Sequence, residues 1–105
     1  MKKFHLALAV KNIEKSIADY SNRLGVKPVC IIPNEYALWR TDTLNLSIRC
    51  DPGSAETLRH LGWEDSAAVE FSSEKDINGI VWERFNEKLQ VEEIENLWPE
   101  VKTRK

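Results

Sequence analysis

The chain has 105 residues, of which 42% are hydrophobic and 30% charged, with a formal net charge of −2. That is enough for one domain with one core, small enough to favour an oligomeric partner, and the wrong charge for a nucleic-acid or anionic-membrane surface. No stretch approaches the roughly 18 apolar residues of a membrane helix, and the two cysteines, Cys30 and Cys50, lack CxxC spacing and read as reduced thiols. A cytoplasmic protein is the expectation.

The N-terminal MKKFHLALAV reads as a strand and not as a signal peptide, because its apolar run is short and no small-residue cleavage site follows. Within it Phe4, Leu6, Leu8 and Val10 face one way and His5, Ala7 and Ala9 the other. Asn12 caps a helix whose apolar positions Ile13, Ile17, Tyr20 and Leu24 recur at helical spacing. Gly25 stops that helix and Pro28 prevents its continuation. Strands follow at VCIIP (29–33), YALWRT (36–41) and TLNLSIRC (43–50), with Asn34-Glu35 and Thr41-Asp42-Thr43 as turns. The last of these alternates, with Leu44, Leu46 and Ile48 against Asn45, Ser47 and Arg49.

Leu6, Leu8, Leu46 and Ile48 can therefore pack beneath Ile13, Ile17 and Tyr20. The opposite sheet face carries His5, Ala7, Ala9, Asn45, Ser47 and Arg49. Such a face is either a solvated surface, the simpler alternative, or the polar lining of a cup.

After the turn DPGS (51–54), SAETLRHLGW has two readings. Ser54 caps a short helix ending at Gly62, which propensity favours, or LRHLGWED is a fifth strand. AAVEF (67–71) is expected as a strand, SSEKDING as a connection and IVWERF (80–85) as a strand. Asn86 caps a final helix with Val91, Ile94, Leu97 and Trp98 on its apolar face and Pro99 at its end. The basic cluster Lys102 to Lys105 reads as a frayed tail. Glu83, between Val81 and Phe85 on one strand face, is a carboxylate among apolar neighbours and needs a partner, unless its strand is an exposed edge. Four tryptophans, Trp39, Trp63, Trp82 and Trp98, suit core and dimer-interface packing.

In FHLALAVKNIEKSIADYSNRLGVKP (4–28), followed by YALWRTDTLNLSIR, RHLGW and Asp76-Ile77-Asn78-Gly79-Ile80-Val81-Trp82-Glu83, the chain resembles the vicinal oxygen chelate superfamily. That group includes glyoxalase I, bleomycin-resistance proteins and extradiol dioxygenases. The resemblance implies an α+β fold: one intact βαβββ module over 1–51, a degenerate, mainly β second half over 52–105, and a C-terminal helix. It also implies a curved mixed sheet forming a partly open barrel. Family members repeat the module, but Glu83 lies only 23 positions after His60, too few for a second full copy.

Carried over residue by residue, the resemblance places metal ligands at His5, His60 and Glu83. Two imidazoles and a carboxylate suit Fe(II), Mn(II), Zn(II) or Ni(II). Asn45 and Ser47 stand where related glyoxalases place a further carboxylate, which leaves a three-ligand, dioxygenase-like set. Asn45, Ser47 and Arg49 are candidate ligand-binding residues. The implied function is a divalent-metal-dependent dioxygenase, lyase or isomerase acting on a compact substrate with vicinal oxygens. The alternative is a non-catalytic, bleomycin-resistance-like dimeric module that binds a small molecule. A homodimer is expected in either case.

Overall fold

A computed structural model describes residues 1–104, with the side chains of 1–101. It is a mixed α+β structure built on a single seven-stranded sheet. In chain order the elements are β1 (Lys2–Val10), α1 (Ile13–Leu24), β2 (Cys30–Ile32), β3 (Tyr36–Arg40), β4 (Leu44–Cys50), β5 (Thr57–Asp65), β6 (Ser72–Lys75), β7 (Val81–Phe85) and α2 (Glu87–Leu97). The strand order is β2-β3-β4-β1-β5-β7-β6, and β2 and β6 remain as edges, so the sheet does not close into a barrel.

The first five elements form the expected βαβββ module. β1 pairs in parallel with β4, which pairs antiparallel with β3, and β3 with β2. In the second half β5 pairs in parallel with β7, and β7 antiparallel with β6. The pairing pattern of β1, β4 and β3 is thus repeated by β5, β7 and β6. The repeat lacks a crossover helix and an outermost strand, as the short spacing between His60 and Glu83 required. The two halves join at β1 and β5, which run antiparallel.

Local chemistry explains the boundaries. The Asn12 side chain accepts from the Lys15 amide and starts α1, and Gly25 ends it at φ 73°, a left-handed position that costs glycine little. Asn86 caps α2 in the same way through the Leu89 amide. Ile13 and Ile17 of α1 pack on Leu6, Leu8, Leu46 and Ile48, the face alternation assigned to the helix, and Trp39 and Ala37 complete this cluster. A second cluster on the other face joins Ile32, Tyr36 and Leu38 to Ile94 and Trp98 of the α2 region.

Three expectations are corrected. Residues 57–65 are a strand and not a helix, because β1 and β7 offer ladder partners on both sides and burial overrides local propensity. AAVEF is a turn region, with Ala68 N–H bonded to the Asp65 carbonyl, and the strand lies one step later at SSEK. The face bearing His5, Ala7, Ala9, Asn45 and Ser47 is a lining and not a solvated surface, since all five are buried. The backbone of 99–104 forms a 3₁₀ turn. The side chains of the basic cluster from Lys102 to Lys105 lie outside the described residues. Among the described residues no helix is long and apolar enough to cross a membrane.

Candidate metal centre

Register brings the three chemistry-bearing side chains together. His5 lies opposite Gly62 on β5, His60 opposite Ala7 on β1, and Gly62 opposite Glu83 on β7. Strand alternation then turns His5, His60 and Glu83 to the same sheet face. Gly62 sits between them for a steric reason: a Cβ there would lie 2.1 Å from the Glu83 carbonyl oxygen. A residue with no side chain lets β7 come close enough to deliver Glu83.

His60 Nε2 is 3.0 Å from His5 Nε2 and 3.0 Å from a carboxylate oxygen of Glu83. The three donor atoms all lie within 4.8 Å of one another and could hold a metal ion. Adjacent ligand atoms on an ion with bonds of about 2.1 Å and right-angle geometry stand about 3.0 Å apart. The two measured edges match that spacing.

The layer behind these atoms fixes which of them carry protons. Arg40 holds Glu64 with two hydrogen bonds of 2.9 and 2.7 Å, and reaches Glu87 on α2 at 3.1 Å. Burial opposes the charge on Glu64, but bonds from Arg40 and Asn45 outweigh it and hold its carboxyl below the usual range. An ionised Glu64 can only accept, so the Asn45 amide nitrogen donates to it at 2.8 Å and to the Gln90 side-chain oxygen at 2.8 Å. The Asn45 oxygen must then face His5, whose Nδ1 lies 2.8 Å away. Nδ1 therefore carries the His5 proton and donates, which leaves the Nε2 lone pair aimed at His60 Nε2.

Burial also lowers the His5 pKa and keeps the ring neutral, the form a metal requires. Lone pairs of His5 and Glu83 then converge on His60 Nε2, which has at most one proton to offer two acceptors. An ion bonded to all three would satisfy the cluster, so the donor set fits a divalent metal.

The cluster lies in the floor of a cavity of about 120 Å³ whose walls include Tyr36, Ser47, Arg49, Arg59, Glu93 and Trp98. Phe85 meets the His5 ring edge-on at 4.9 Å and stacks on Phe71 at 5.4 Å, giving one apolar wall. Of the residues proposed to bind ligand, Ser47 and Arg49 line this cavity. Asn45 sits behind His5, fully buried, with its amide committed to other side chains. Reading β4 alone does not reveal Arg59, Gln90 or Glu93. Arg59 depends on the register of β5, and the other two on where α2 docks.

No family model and no curated protein sequence matches the chain. Among solved structures it is similar to one described as an NAD-dependent benzaldehyde dehydrogenase from Legionella pneumophila, at 17% identity and a TM-score of 0.54. The match covers 79% of this chain and 97% of that one. At that identity the likeness concerns the fold.

Proposed function

We propose that the protein is a small divalent-metal-dependent enzyme of the vicinal oxygen chelate type, a dioxygenase, lyase or isomerase, with His5, His60 and Glu83 as its metal ligands. The observation that carries this reading is the convergence of three donor atoms, with the lone pair of His5 fixed by Asn45. An iron, manganese, zinc or nickel ion held there would supply Lewis acidity at two neighbouring substrate oxygens, or oxygen activation if it were iron.

The chain's own groups supply the rest. Asn45 keeps His5 in one tautomer and one ring orientation. Phe71 and Phe85 limit water on one side, and the small cavity selects a compact substrate, since drug-sized ligands occupy about 300–1,000 Å³. The outer faces of Trp63 and Trp82, half-buried and without a helix above them, support the expectation of a homodimer.

Metal analysis of protein purified without an affinity tag tests the proposal. A stoichiometric divalent ion is expected, lost in His5→Ala and Glu83→Ala variants. Metal at 100 times its dissociation constant should stabilise the wild type by about 2.7 kcal/mol. No bound ion and no metal-dependent melting shift would sink it. Small-ligand binding left intact by His5→Ala would favour the non-catalytic module instead.

A further inference from the structure

The β1–β5 ladder contains one irregularity. Ala7 is opposite His60 and Leu8 is opposite Leu58, so Arg59 has no partner on β1. Such a bulge places two residues against one and re-aims a side chain. In strict alternation His60 and Arg59 would project to opposite faces. Here Leu58 lies against the α1 side, while Arg59 lines the same cavity as His60.

A second arginine lines that cavity from β4. The Arg49 guanidinium lies over the Trp98 ring, 5.4 Å from its centroid, an arrangement that holds the plane while leaving N–H groups at its edge. Among the described residues neither the Arg49 nor the Arg59 side chain makes a hydrogen bond or ion pair. Their two charges are matched within the cavity by Glu83 and Glu93. A divalent ion on the His5, His60 and Glu83 donors would leave the cavity with a surplus positive charge, which an anion would offset.

We infer that Arg49 and the bulge residue Arg59 form a carboxylate clasp beside the histidine–glutamate cluster, and that the cavity takes a compact 2-hydroxy or 2-oxo acid. The inference rests on the reading above for the second half of the substrate and on the arginines for its carboxylate. Guanidinium groups match a planar carboxylate with paired hydrogen bonds. A volume of about 120 Å³ is that of roughly four liquid waters, which suits an acid of a few heavy atoms. Glu93 is the neighbouring counter-charge.

Calorimetric titration with lactate and with lactamide tests this, because the two share shape and vicinal oxygens and differ in charge. Metal-loaded and chelator-treated wild type are compared with Arg49→Met, Arg59→Met and Glu93→Gln, with metal content measured separately for each. Lactate is expected to bind about tenfold or more tightly than lactamide. Either arginine substitution should abolish that preference while metal content stays unchanged, and Glu93→Gln should tighten lactate binding. Arg59→Lys, which keeps charge but not the fork, should retain part of the preference and exclude a folding defect as the cause.

Equal binding of the two compounds, no binding of either, or a preference that survives both arginine substitutions overturns the clasp, whatever the metal content. Weaker lactate binding in Glu93→Gln also counts against it. An arginine-dependent preference for lactate in protein that binds no metal would support the clasp and remove the metal reading.

Discussion

The Nδ1 atom of His5 lies 2.8 Å from the Oδ1 atom of Asn45, and that contact sets the direction of the imidazole lone pair 40 residues away in sequence. It is the inner end of a relay that begins at Arg40 and passes through Glu64. The relay makes the tautomer and ring orientation of His5 a property of the buried network and not of the strand that bears it.

Replacing Asn45 by alanine should therefore act on metal and fold together. Loss of the partner behind a ligating histidine costs about 10–100-fold in metal affinity. The partners left behind, Glu64, Gln90 and His5, are all buried, which should lower stability by about 1–3 kcal/mol. Competition with a chromophoric chelator reads the first effect and urea unfolding the second. Unchanged affinity would separate Asn45 from the site.

Gly62→Ala should be more damaging than its size suggests. The new methyl would fall 2.1 Å from the Glu83 carbonyl oxygen, and β5 and β7 would have to separate. Overpacking of this kind costs about 1–3 kcal/mol, and it moves Glu83 with its strand. Thermal unfolding should show the destabilisation, and metal titration a weaker site. A variant that melts and binds like the wild type would contradict the close approach.

Glu64 gives the stability a pH dependence of known sign. Its carboxyl is held below the unfolded-chain value of 4.5, so the unfolded state takes up this proton first as pH falls. The stabilisation is complete above about 4.5 and is lost as pH drops through the lower native value. Melting curves between pH 7 and pH 3 should fall more steeply for the wild type than for Glu64→Gln. Parallel curves would show that the ion pair with Arg40 does not carry this stability.

The first half of the fold was legible in the sequence because its signals agree. Alternation in 4–10 and 43–50, the Asn12 cap and the Gly25 stop all specify one arrangement. In the second half the signals conflict. SAETLRHLGW has helix-favouring residues, and its strand state depends on pairing with β1 and β7, which no local pattern records. AAVEF has the composition of a strand, yet the ladder partner of β7 is the polar SSEK, whose residues are all exposed. His5, His60 and Glu83 were named together only through the resemblance, and the structure brings their donor atoms within 4.8 Å of one another. Asn45 was assigned to the right face but not to the layer behind His5, because burial of that face depends on elements far away in the chain. Arg59 was hidden by a one-residue bulge that alternation cannot anticipate.

The turn that launches β7 is held tightly. Asp76 accepts from the Asn78 and Ile80 amides and from the Trp82 indole, and Gly79 takes the left-handed position at φ 78°. Beyond that turn β7 has only β5 on one side and the short exposed β6 on the other, whereas His5 stands on the central strand between β4 and β5. The candidate ligands are thus divided between the best-protected strand and one of the least protected. Opening of the β6–β7 ribbon would carry Glu83 away while leaving His5 and its relay in place. Capture and release at this site would then be governed by the fraying of one sheet margin, on a timescale separate from unfolding of the whole chain.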